Sequence, residues 1–136
     1  MTDSSVRAER DRPVVMVVED EELFAYLLRR YAEKSGRRFV SAHLKEEALD
    51  LARREQPAVI LVDIVLAGTS GEDVLRALKA DPDTRAIPVV MCSGRDEDLA
   101  FWTEMGAHDC LQKPVRYERF LAMLASLTSV GVQPRE

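Results

Sequence analysis

The chain's 136 residues fit one domain with room for a buried core, and 46% hydrophobic with 32% charged residues is the balance of a soluble globular protein. A formal net charge of -5 with no lysine-rich run argues against nucleic acid as a direct partner, because binding it takes a basic face that releases counterions. No apolar run reaches the ~20 residues that span a bilayer, and the polar start MTDSSVRAERDRP lacks a secretion signal's apolar core, so a cytoplasmic protein without membrane contact is expected.

Residues 1–12 have no periodicity and read as a flexible lead, followed by one domain over 13–128 and a short tail over 129–136. Val14 to Val18 is a β-branched run of the kind buried on both faces of a sheet. Leu23, Phe24, Leu27, Leu28 and Tyr31 then recur at helical spacing up to Gly36. The basic residues Arg29, Arg30, Lys34, Arg37 and Arg38 suit a solvated helix end, where cations meet the negative pole of the dipole. Phe39 to Ala42 predicts a second strand, and Ala48, Leu49 and Ala52 a short helix that ends before Pro57.

Ala58 to Val62 is the third strand and the most uniformly apolar. Ser70 and Asp73 resemble a capping box opening a third helix with Val74, Leu75 and Leu78. Pro88 to Cys92 predicts a fourth strand with its proline at the tolerated first position, Leu99 to Met105 a fourth helix, and Cys110 to Gln112 a fifth strand. Phe120, Leu121, Leu124 and Leu127 mark the last helix. Cys92 and Cys110 have neither CxxC spacing nor a histidine cluster, so reduced thiols are expected.

Strands alternating with helices over short connections imply an α/β fold: a doubly wound five-stranded parallel sheet of flavodoxin-like order 2-1-3-4-5, with helices on both faces. In such sheets ligands sit beyond the carboxyl ends of the strands. Glu19 and Asp20 follow the first strand, Asp63 the third, Ser93 the fourth and Lys113 the fifth. Crowded carboxylates repel unless a cation joins them, and hard oxygen donors suit magnesium completed by a phosphate. A lysine balances phosphate charge and a hydroxyl bonds a phosphoryl oxygen, so the set fits phosphoryl transfer to a carboxylate. Glu19 and Asp20 taken alone are also good helix-start acids; Asp63 after an apolar strand favours the metal. His43 and His108 fall outside this set and read as ordinary residues.

The segments VVMVVEDEE, AVILVDIVLAGTSGEDVL, IPVVMCSG and GAHDCLQKP resemble, in order and spacing, the signature stretches of the response-regulator receiver family, the CheY-like single-domain form included. The likeness runs from about Val14 to Leu127. The 2-1-3-4-5 order is that family's own, so order and resemblance are not independent grounds. The resemblance implies Asp63 as phosphoacceptor, Asp20 as a direct Mg2+ ligand, Glu19 at the second acidic position, and the Val65 backbone carbonyl as a further ligand. It also implies Ser93 as the switch hydroxyl, Lys113 as the lysine of the site, and a cis bond to Pro114.

Two positions depart from the pattern. Ala67 stands where the family usually has proline, which is expected to loosen the loop after Asp63. Cys110 stands where many members carry the aromatic half of the switch, so output is expected to run through the loop after Ser93 and the fourth helix. There Leu99 and Phe101 lie about 200° apart around the axis, and one face cannot bury both with Trp102 and Met105. At least one of them is expected on a partner surface, with Phe101 and Trp102 the candidate output residues. Arg95, two residues beyond Ser93, is placed to reach the phosphoryl group and set its lifetime.

The reading is a two-component regulator that is no conventional turnover enzyme: a histidine kinase or phosphotransfer protein phosphorylates it, and it hydrolyses its own acyl phosphate. Only Thr128 to Glu136 follow Leu127, so output is expected through protein contact on the helix 4–strand 5–helix 5 face. The alternatives are a phosphorylation-independent adaptor and a receiver fragment of a larger regulator. An aspartate-nucleophile phosphatase would carry a second aspartate where Val65 stands, and no nucleotide-binding glycine loop occurs.

Overall fold

The computed structural model describes residues 12–132, with side chains up to residue 127; the lead over 1–11 and the tail over 133–136 lie outside the described residues. The elements run β1 (Val14–Val18), α1 (Glu22–Lys34), β2 (Arg38–Ala42), α2 (Lys45–Glu55) and β3 (Val59–Asp63). Then come α3 (Gly71–Ala80), β4 (Val89–Ser93), α4 (Leu99–Glu104), β5 (Asp109–Gln112) and α5 (Tyr117–Val132). The five strands form one parallel sheet of order β2-β1-β3-β4-β5. The helix α5 runs on through 129–132, residues that the apolar pattern left to the tail.

Successive strand residues point to opposite faces, and the core divides accordingly. Met16, Val18, Ile60, Val62, Val89 and Met91 face a layer with Ala48 and Ala52 of α2, Leu75 and Leu78 of α3 and Trp102 of α4. Val15, Val17, Val59, Leu61, Val90 and Cys92 face the other layer, with Phe24 and Leu28 of α1 and Phe120 and Met123 of α5. Every residue of β1, β3 and β4 is buried, which is why these strands read as apolar runs up to the closing Asp63 of β3 and Ser93 of β4.

Cations of the basic stretch lie in local pairs: Arg29 bonds Glu33 at 3.2 Å, Arg38 bonds Glu55 at 3.3 Å, and Lys34 sits 4.5 Å over the Tyr117 ring. The thiols are free, Cys92 buried and Cys110 half-buried. His108 Nε2 lies 2.9 Å from Ser126 Oγ. No helix of the described residues is long and apolar enough to cross a membrane.

Between β3 and α3 the chain makes a small hairpin that the apolar pattern does not announce: Val65–Leu66 pairs antiparallel with Thr69–Ser70. Gly68, at φ 79, takes the left-handed position its two-residue turn needs. Ser70 Oγ then caps α3 by accepting the Asp73 amide at 3.1 Å. Gly71 opens the helix so close to β3 that its amide donates to the Ile64 carbonyl at 2.9 Å. A Cβ at Gly71 would overlap the Asp63 carbonyl oxygen and lie 2.7 Å from Ile64 Cα. Only glycine lets α3 start against the backbone that carries Asp63. Gly71→Ala is therefore expected to destabilise the protein by about 1–3 kcal/mol through forced displacement of this backbone. Urea unfolding checks it; an unchanged midpoint would show that the contact yields freely.

Candidate functional site

Parallel register brings the carboxyl ends of β1, β3, β4 and β5 side by side. Val18 pairs with Val62, Asp63 with Cys92, and Ser93 with Gln112. The backbone ties continue one step further, with Glu19 N–H donating to the Ala42 carbonyl at 3.1 Å and Lys113 N–H to the Ser93 carbonyl at 2.7 Å. His43 Nδ1 lies 3.0 Å from the Glu19 carbonyl, which can only accept, so this nitrogen carries the proton and the histidine is satisfied by a structural bond. Asp63 and Ser93 are the last residues of their strands, one place further into the sheet than their polar side chains suggest.

Glu19, Asp20 and Asp63 each present a carboxylate oxygen, and these oxygens lie within 4.8 Å of one another. Glu19 is 1% exposed and Asp63 8%, whereas Asp20 faces solvent. Asp20, Glu21, Asp63, Val65, Gly94 and Lys113 line one shallow pocket. The Lys113 ammonium stands among the acids, 3.2 Å from Asp63 Oδ2, 3.0 Å from Glu21 Oε1 and 3.5 Å from Glu19 Oε1. It also lies 4.4 Å over the Phe24 ring. The Lys113–Pro114 bond is cis.

The electrostatics are those of too many acids for one base. Burial first, then the hydrogen bond and charge of Asp63, push the Glu19 carboxyl up to about 8; Lys113 and the Glu21 amide offset this only in part. Burial lowers the Lys113 ammonium, but Glu21, Glu19 and Asp63 outweigh it and hold the group above its ordinary value. Glu19 Oε1 is buried and accepts no hydrogen bond among the described residues. A buried carboxylate oxygen that accepts no hydrogen bond, with the Lys113 ammonium 3.5 Å off and two more carboxylates facing it, is an environment a small divalent cation would complete. The residues present therefore fit Mg2+. All the side-chain donors are oxygens, and an octahedral ion with bonds of about 2.1 Å spans about 4.2 Å between opposite ligands.

The loop after Asp63 is tied to both acids. Asp63 Oδ1 accepts the Val65 amide at 3.2 Å, and Asp20 Oδ2 accepts the Ala67 amide at 2.7 Å. The second bond needs an N–H that proline lacks. Ala67 thus adds a tie to Asp20 that a proline would forbid, where loosening alone had been expected.

Other expected residues take different places. Ser93 is buried, with its hydroxyl donating to Glu97 Oε2 at 3.0 Å and accepting the Arg95 amide at 3.2 Å. Arg95 lines a separate cavity with Glu97, Cys110 and Arg119, while its neighbour Gly94 borders the acidic pocket. On α4, Leu99 and Phe101 are each 47% exposed, whereas Trp102 is 5% exposed and packs in the core. The exposed apolar pair is therefore Leu99 and Phe101, and Trp102 is no surface residue. Glu21 and Glu97 escaped the sequence reading. The acidic run Glu19–Glu22 hints at the first; nothing in the spacing marks the second.

Comparison with known proteins agrees with this geometry. Residues 15–125 match the family model described as response regulator receiver domain. The chain is 36% identical over 109 residues to Protein PilH of Pseudomonas aeruginosa, covering 79% of this chain and 90% of the relative. It is 37% identical over 117 residues to the polar-differentiation response regulator DivK of Brucella ovis, covering 82% and 93%. Among solved structures, the chemotaxis protein CheY4 of Vibrio cholerae superposes with a TM-score of 0.78 at 20% identity, over 85% of this chain and 98% of that one. The signal receiver domain of a signal transduction histidine kinase from Syntrophus aciditrophicus gives 0.77 at 27% identity, over 91% and 95%. With strand order, acid cluster and lysine already in place, these matches establish that the chain belongs to the response-regulator receiver family.

Proposed function

We propose that Asp63 accepts a phosphoryl group from a histidine kinase or phosphotransfer protein of a two-component system, with Mg2+ as cofactor. The observation that carries this reading is the Asp63 carboxylate held 3.2 Å from Lys113 Nζ and within 4.8 Å of ligand oxygens on Glu19 and Asp20. Glu19, Asp20 and Asp63 side chains and the Val65 carbonyl would hold the ion, which when bound offsets negative charge on the phosphoryl oxygens.

A carboxylate oxygen of Asp63 attacks phosphorus. A new O–P bond forms as the donor's P–N bond breaks, and the imidazole leaves with the electron pair. Lys113, already bonded to Asp63, balances charge on the acyl phosphate, and Ser93 can turn its hydroxyl to a phosphoryl oxygen. Hydrolysis reverses the label: water attacks phosphorus and Asp63 leaves as carboxylate. The chain acts as a cytoplasmic switch rather than a turnover enzyme, and the exposed Leu99 and Phe101 on the α4–β5–α5 face meet a downstream protein.

Incubation with acetyl phosphate and Mg2+ should add the mass of one phosphoryl group to the wild type and none to Asp63→Asn, read by intact mass. Absence of any label on the wild type would instead favour a phosphorylation-independent adaptor. The buried acid gives a second expectation. An unfolded Glu19 titrates near 4.5 and the folded one near 8, so between these values the folded state holds a proton the unfolded chain has released. This group's contribution to stability is therefore present below pH 4.5 and is lost as pH rises through about 8. Urea unfolding without metal should show that decline, and Glu19→Gln should flatten it. Mg2+, which favours ionised Glu19, should stabilise the wild type more at the alkaline end; equal stabilisation across the window would remove Glu19 from the ion's shell.

A further inference from the structure

Cys110 on β5 is half-buried. Glu97 lines the same cavity as Cys110, of about 230 Å³. Its charge is felt by the thiol, which burial first and Glu97 next push up to about 11. The two oxygens of Glu97 have separate donors. Ser93 Oγ donates to Oε2 at 3.0 Å, and the indole Nε1 of Trp102 donates to Oε1 at 3.1 Å. Trp102 in turn meets the Phe101 ring edge-to-face at 5.1 Å. An unbroken polar and aromatic path thus joins the end of β4 to the exposed Phe101 on α4.

We propose that Glu97 couples Ser93 to Trp102, so that phosphorylation of Asp63 is reported to α4 by loss of the Ser93–Glu97 hydrogen bond. The proposal rests on Asp63 as phosphoacceptor and adds the route by which its state leaves the site. A serine hydroxyl has one proton. When it donates to a phosphoryl oxygen it no longer donates to Glu97. The carboxylate, fixed until then by two donors, is left with the indole alone and pivots about that bond. Trp102, buried and with Glu97 Oε1 as the acceptor of its N–H, shifts with it or loses the bond. Either movement displaces Phe101, one residue away and in contact with the indole. The device is a hydrogen-bond exchange.

The chain has a single tryptophan, so its emission reports Trp102 alone. The experiment records emission and acrylamide quenching of the full chain before and after acetyl phosphate with Mg2+, with intact mass read on the same samples, for wild type, Ser93→Ala, Glu97→Ala and Glu97→Gln. In resting protein, Ser93→Ala should shift the emission and raise quenching, and adding Ser93→Ala to Glu97→Ala should change nothing more. Labelled wild type should move in the same direction as resting Ser93→Ala, while labelled Glu97→Ala and Glu97→Gln stay at their resting values. Glu97→Gln keeps the side chain's shape, so its loss of response separates coupling from folding. The proposal is overturned by resting Ser93→Ala emission equal to wild type, or by a labelled Glu97→Gln that responds as wild type does. A wild type that takes no label defeats the phosphoacceptor reading instead, and the resting comparison still decides whether Ser93 and Trp102 are linked.

Discussion

Repulsion among carboxylates is the constraint around which this fold is arranged. Glu19, Asp20 and Asp63 come from two strand ends, and the register of β1 and β3 allows them no separation. Lys113 reaches Glu19, Glu21 and Asp63, yet a single ammonium does not neutralise them. Burial and the neighbouring Asp63 push the Glu19 carboxyl upward, which favours a proton there as one way to relieve the imbalance. An added cation would be another. Burial sharpens the conflict, because a carboxylate removed from water has no other means of spreading its charge.

The surroundings keep this conflict in a fixed geometry. Gly71 starts α3 hard against the carbonyl of Asp63, and the hairpin from Val65 to Ser70 returns amides to Asp63 and Asp20. Both carboxylates are thereby aimed by backbone donors on one short loop, which is better defined than any flexible side-chain partner would make it. On the other flank, Ser93 ends β4 and donates to Glu97, which also accepts the indole N–H of Trp102 on α4.

Much of this was legible in the residues. Runs such as Val14–Val18 and Ala58–Val62 announce strands buried on both faces, and the helical spacings between them announce the crossovers. The acids, the serine and the lysine stand where those runs stop, so one pocket could be inferred from order alone. What escaped lay in backbone and in neighbours. Asp63 and Ser93 look like loop residues because they are polar, but their main chains continue the ladder with Cys92 and Gln112. The Ala67 tie to Asp20 uses an amide, and side-chain identity reveals only that proline is absent. A two-residue ladder is too short for any period to show. Phe101 and Trp102 are adjacent and equally apolar, and only packing decides that the second is buried. Glu97 carries no pattern, since its meaning comes from Ser93 and Trp102 meeting it in space.

The site works only if its carboxylates share one ion. Titration calorimetry with Mg2+ on the wild type and on Asp20→Asn tests this without any phosphoryl donor. One ion per chain for the wild type, with binding lost in a variant that still folds, is the predicted result. Binding of the same affinity in Asp20→Asn, or no binding to either protein, would contradict it.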